Sequence, residues 1–114
     1  MGRRIQGENG YIKLYRSTLD WEWFDDGPTT RLWIYILLRA NYEPDSYRGI
    51  ELDRGEFLAT QAEMADATGL SKQSIRTALT HLKSTGEIDT KVTRWGTIVK
   101  VHKYAVYQSS DEDS

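Results

Sequence analysis

The sequence has no cysteine, only two prolines and two histidines, and no apolar run longer than Leu32 to Leu38. Each shortage excludes something. Without cysteine there is no disulfide scaffold, thiolate metal site or cysteine nucleophile. Two histidines, His81 and His102, do not build a histidine metal site, so no metal or cofactor is expected. The apolar run is far short of the ~20 residues that a membrane-spanning helix needs. Met1-Gly2-Arg3-Arg4-Ile5-Gln6 carries charge with no apolar stretch behind it, which is not a signal-peptide pattern. There is no Gly-rich phosphate loop ending in Gly-Lys-Ser/Thr and no His-Glu-x-x-His, and the adjacent Asp25-Asp26 fits a helix connection. The expectation is a non-enzymatic, cytoplasmic protein of one domain, as its 114 residues allow.

What is present is unevenly distributed. Residues 1–69 carry eight bases and twelve acids, whereas residues 70–108 carry seven bases and two acids. The tail Asp111-Glu112-Asp113 adds three further acids, giving a net charge of −2. A basic half in an acidic chain points to a polyanionic partner, although Lys and Arg also simply solvate exposed faces. Residues 1–10 read as a flexible N-terminus, residues 11–108 as the folded domain, and residues 109–114 as a disordered acidic tail.

Tyr11, Ile12, Leu14 and Tyr15 form an extended lead-in. Ser17 followed by Asp20 predicts an N-capped helix through Trp23. Gly27-Pro28 breaks it and starts a second helix, from Thr29 to about Ala40, whose apolar residues occupy almost every angle. Such a helix is buried on most sides, within the domain or against a second copy. Asn41 to Tyr47 reads as a loop, and Ile50-Leu52 and Phe57-Leu58 as small strands around the Asp53-Arg54-Gly55 turn.

Thr60-Gln61-Ala62-Glu63 is a capping box that starts a helix through about Thr68, ended by Gly69. Ser71 caps the next helix, where Ile75, Ala78, Leu79 and Leu82 form one apolar stripe closed by Gly86. Two capped helices joined at Gly69 have the layout of a helix-turn-helix. Beyond Gly86 the period changes to two: Ile88, Thr90 and Val92, then Thr97, Val99 and Val101, flank Arg94-Trp95-Gly96 as a β-hairpin. Helix-turn-helix followed by hairpin is the winged-helix arrangement. The fold class is therefore α+β, mostly α: a winged helix-turn-helix with an N-terminal helical extension and a β-hairpin wing. Its sheet takes a third strand from Ile50–Leu52 or Phe57–Leu58.

At 100° per residue the stripe leaves Gln73, Arg76, Thr77 and Thr80 on the opposite helix face, with Lys72 and Lys83 on the flank. Arg can bond guanine O6 and N7 together, Gln can pair with adenine, and Thr can reach phosphate or a thymine methyl. The helix start at Ser71 suits a phosphate. On the hairpin, Lys91, Arg94 and Trp95 complete the candidate DNA-binding set; Trp95 reads equally as a structural side chain folded onto the sheet. His81, off the stripe, reads as a solvated residue.

The segment Gly10-Tyr11-Ile12-Lys13-Leu14-Tyr15-Arg16, followed by Leu19-Asp20-Trp21-Glu22-Trp23-Phe24, resembles the N-terminal domain of phage replication-initiation proteins. These are the replisome organisers with a DnaD-type winged helix. The similarity continues through Arg31-Leu32-Trp33, Ala40-Asn41-Tyr42, Leu52-Asp53-Arg54-Gly55-Glu56, Gly69-Leu70-Ser71, Ile75-Arg76-Thr77-Ala78-Leu79 and Leu82 to Ile88. It ends at Tyr104 and Tyr107-Gln108. The resemblance implies binding of double-stranded DNA at an origin, self-association, and recruitment of a helicase loader or helicase. Family members usually continue into a second domain, so this chain reads as an excised domain or as a stand-alone protein with a narrower task. The alternative is a protein-interaction winged helix, with Trp21, Trp23, Trp33 and Tyr35 gripping a second copy or a host protein. A phage inhibitor of a host nucleic-acid machine belongs to that class.

Overall fold

In the computed structural model, which describes residues 10–108, the order of elements follows the capping signals closely. Helix α1 spans Gly27–Arg39, α2 Gln61–Thr68, α3 Lys72–Ser84 and α4 Tyr104–Gln108. Strands β1 (Asp45–Tyr47) and β2 (Ile50–Leu52) precede β3 (Glu56–Ala59), and β4 (Ile88–Thr93) and β5 (Gly96–Val101) follow α3. Strands β3, β5 and β4 form one antiparallel sheet in that spatial order, with Phe57 opposite Val99 and Thr90 opposite Val99 from the other side. Strands β1 and β2 form a separate hairpin. A helix-turn-helix packed on a sheet whose last two strands are a hairpin is a winged helix. The third strand is β3, not Ile50–Leu52. The expectations for residues 1–10 and for the tail 109–114 fall, Gly10 apart, outside the described residues.

The local causes are those the side chains predict. Asp26 caps α1, accepting from the Thr29 N–H at 3.0 Å, with Pro28 in the first turn, where its missing N–H costs nothing. Thr60 and Glu63 make both bonds of the capping box. Gly69 takes φ +76 at the turn between α2 and α3, a left-handed conformation that a Cβ disfavours. Ser71 caps α3 through the Ser74 N–H at 3.0 Å. At its far end the Gly86 N–H reaches Lys83 O and the Glu87 N–H reaches Leu82 O, the paired bonds of a Schellman motif.

The core lies between the helices and one face of the sheet. Leu32, Trp33, Ile36 and Leu37 of α1, Met64 of α2 and the α3 stripe Ile75, Ala78, Leu79 and Leu82 pack with Phe57, Ala59, Ile88, Val99 and Val101. As expected, α1 is buried on most sides, although Leu38 is 51% exposed. Leu52 and Leu58 are also buried but stand outside this cluster. Leu58 alternates with the inward Phe57 and Ala59, so it points to the outer face of the sheet. With an exposure of 1% it must be covered there, and the β1–β2 hairpin lies against that strand.

Three expectations need correction, and one helix was not expected. Ser17 does not cap a helix through Trp23: a short 3-10 turn, Arg16–Asp20, has no side-chain cap, and the chain is extended at Trp21. Side-chain packing overrides the local signal, because the Trp21 ring packs tilted against Trp33 with 5.8 Å between centroids and its indole N–H donates to Glu87 at 3.0 Å. Asn41–Tyr47 is not all loop, since its last three residues form β1. Positive φ at both Arg48 and Gly49 makes the tight turn that returns it to β2. The helix α4 had no sequence signal beyond two tyrosines. Finally, His81 is half-buried against neighbouring side chains rather than simply solvated.

The N-terminal lead-in is tied to α4. Gln108 accepts from the Lys13 N–H at 2.7 Å and donates to the Lys13 carbonyl at 3.1 Å. Tyr104 is buried beneath Gly55, where an added Cβ would lie 2.8 Å from the Tyr104 Cβ. That burial raises the Tyr104 hydroxyl above its ordinary pKa, opposed by the Arg54 guanidinium.

Two outcomes follow for stability. Deleting residues 1–24 removes Trp21 and Trp23 from the packing and should abolish the cooperative thermal melt; an unchanged melt in the truncated protein would refute this. Gly55→Ala combines a φ of +86 with the Tyr104 clash, and should cost about 1–3 kcal/mol by chemical denaturation.

Candidate nucleic-acid interface

Because the stripe of α3 is consumed by the core, its opposite face is fixed toward solvent. Ser71, Lys72, Gln73, Arg76, Thr77, Thr80 and Lys83 are all exposed. Arg76 donates to the Gln73 amide oxygen at 3.0 Å, so the two long side chains are paired rather than independently mobile. The Thr80 hydroxyl donates to the Arg76 carbonyl at 3.0 Å, leaving its lone pairs outward. The Ser71 hydroxyl is committed to Ser74, as cap acceptor and as donor to its hydroxyl, so it offers little to a ligand.

The two flanks of α3 differ in charge. On one side, Arg76, Thr80 and Lys83 face Thr90, Val92 and Thr97 of the sheet and Gln61 of α2 across a groove of about 220 Å³. Here the inner face of the sheet emerges from the core, and Val92 is 81% exposed. On the other side, Gln73 and Thr77 line a depression with Asp25 and Asp26. A polyanion is favoured on the wing side and disfavoured on the acidic side.

The predicted wing residues separate. Lys91 lies opposite Ile98 and shares the outer face of the sheet, away from the groove. Arg94 and Trp95 form the two-residue tip between Thr93 and Gly96. Trp95 keeps 37% of its surface exposed, with the Arg94 guanidinium 5.5 Å from its ring centroid and the Arg48 guanidinium 4.5 Å from it. Arg48 reaches there from the β1–β2 turn, and its Nε donates to the Tyr47 hydroxyl at 2.9 Å. Sequence reading missed Arg48. The signal was a single Gly after it, between Tyr47 and Ile50, with no Asn or Asp to mark the turn.

It also missed what holds α3 in place. His81 stacks on Trp23 with 4.2 Å between ring centroids and 9° between planes. Its Nδ1 shares a 2.9 Å hydrogen bond with the Thr29 hydroxyl and lies 3.5 Å from Asp26. The Trp23 indole N–H donates to the Thr85 hydroxyl at 2.9 Å, and that hydroxyl also pairs with Glu87. Trp23 is therefore a brace for the C-terminal half of α3.

Among the described residues no group of three or more His, Cys, Asp or Glu could hold a metal ion, and no helix is long and apolar enough to cross a membrane. No family model and no curated protein matches the chain. Among solved structures it is similar to "TubR bound to 24 bp of tubC from Bacillus thuringiensis serovar israelensis pBtoxis". The identity is 12% and the TM-score 0.49, over 84% of this chain and 89% of that one. A likeness at that level assigns no function, and the fold stands on the topology described above.

A double-mutant cycle tests the brace. Trp23→Ala and His81→Ala should each destabilise the protein, and the double mutant should lose about 1 kcal/mol less than their sum. Strict additivity in urea unfolding would show that the stack contributes nothing.

Proposed function

We propose that this protein binds double-stranded DNA, with α3 in the major groove and the wing against the flanking backbone. The observation that carries the reading is the sided groove: Arg76, Thr80 and Lys83 of α3 facing the exposed inner edge of the wing, with Asp25 and Asp26 confined to the opposite flank. Within it, Arg76 is the base-reading side chain, pre-positioned by Gln73. Lys72, Lys83 and Arg94 bond phosphates, and Thr77 and Thr80 supply shorter contacts. Lys91, on the outer face, contributes only to the field around the wing. The role is non-catalytic and needs no cofactor.

The narrower reading places the duplex at a replication origin of a phage or mobile element, in the cytoplasm of a bacterial host. It rests on the resemblance to replisome organisers, and it brings a helicase loader or helicase as further partners. A second reading, as a protein-interaction winged helix, is favoured by one observation. Tyr11, Leu14 and Leu19 of the lead-in, and Leu38 and Tyr42 at the end of α1, leave large apolar side chains exposed, as a face for self-association or a host protein would.

Titration with duplex at two salt concentrations separates the readings. Arg76→Ala should cost about 1–3 kcal/mol on the preferred site and relax its sequence preference. Arg94→Ala should weaken all duplexes evenly and reduce the salt slope by about one. Neither should move the melting temperature appreciably, because both side chains are exposed. Unchanged affinity in the folded double mutant, or no binding at low salt, would leave the protein-interaction reading in its place.

A further inference from the structure

The tip of the wing is not a lone hairpin end. The β1–β2 turn meets it, and the Trp95 ring is approached by two guanidinium groups contributed by different hairpins, Arg48 at 4.5 Å and Arg94 at 5.5 Å from its centroid. Among the described residues, neither arginine is ion-paired with a carboxylate. Two like charges held near one ring repel each other. Arg48 is fixed more firmly than a surface side chain usually is. Its φ of +49 is set by the tight turn, its Nε is bound to Tyr47, and the Tyr47 ring lies 5.4 Å from its guanidinium. The guanidinium remains exposed at the protein surface.

We propose that Arg48 is a further DNA-backbone contact, forming with Arg94 and Trp95 a two-cation clamp at the wing tip. The inference rests on the DNA-binding reading above and extends it to a residue outside the helix-turn-helix and outside the wing. The chemistry favours phosphate. Successive phosphates on one strand lie close enough for both cations to be neutralised together, which relieves their mutual repulsion and releases condensed counterions. The planar guanidinium, held by stacking on one face and by its Nε on Tyr47, presents its two Nη groups to bond phosphate oxygens in pairs.

The test measures binding of the full chain to a random-sequence duplex over a range of salt, with Arg48→Ala, Arg48→Lys and Lys83→Ala compared with the wild type. Arg48→Ala should weaken binding about ten-fold at low salt and make the log–log salt slope shallower by about 0.9. Arg48→Lys should restore the slope, because the charge returns even though the stacked plane does not. The melting temperature of both should match the wild type. An Arg48→Ala protein that binds like the wild type, while Lys83→Ala is impaired, overturns the clamp and leaves the DNA reading standing. So does a salt slope that Arg48→Lys leaves as shallow as Arg48→Ala does, since the charge would then not be what binds. A clamp that grips an acidic protein instead of DNA would also leave the Arg48→Ala isotherm unchanged. A wild-type protein that binds no duplex at low salt overturns both readings.

Discussion

Everything that faces outward on this protein is set by how α3 is seated. Its four stripe residues are at most 5% exposed, held by α1 on one side and by the inner face of the sheet on the other. Dispersion contacts of that density leave the helix no freedom to roll about its axis. A second constraint, polar rather than apolar, stands at its C-terminal half. His81 is held at once by an aromatic face, a hydroxyl and a carboxylate, all from the segment between Trp23 and Thr29. The orientation of Arg76 and Lys83 toward the wing is a consequence of those two anchorages.

The two anchorages also divide the electrostatics. Asp26 both caps α1 and approaches His81, so the structural device that fixes α3 deposits negative charge along one of its edges. The opposite edge receives the sheet, whose inner face offers only Thr90, Val92 and Thr97 there. Of the bases in residues 70–108, Arg76 and Lys83 fall on that edge of α3, while Lys91 and Arg94 lie on the outer face and at the tip of the wing. Arg48 belongs to the acidic half of the chain by sequence and to the basic tip by position, which no count along the chain could show.

Local chemistry made much of the fold legible. The capping box at Thr60, the Ser71 cap, the stripe from Ile75 to Leu82 and the alternation from Ile88 to Val101 are each decided within a few residues, and each was realised. The rest depends on partners far away in sequence. Strand β1 has only Tyr47 as a β-favouring residue, and its hairpin is held by burial of Leu52 in the layer that covers Leu58. The expected helix at Ser17 yields to the pull of Trp33 and Glu87 on Trp21. His81, polar and off the apolar stripe, gives no local sign that an indole will stack on it. In the candidate site, the face of α3 followed directly from the stripe. The side of the sheet on which Lys91 falls needed the strand register, and the convergence of Arg48 with Trp95 needed the tertiary fold.

The double hydrogen bond between Lys13 and Gln108 holds the two ends of the described stretch side by side. Topologically this turns an open chain into something close to a ring. A ring has no privileged starting point: it can be opened at an exposed turn and rejoined across its old ends with little disturbance to what lies between. It can also be spliced into a surface loop of a larger protein, entering and leaving through neighbouring points. The same closeness means that anything attached at either end emerges from one patch beside the lead-in and α4, so that two unrelated attachments would be neighbours.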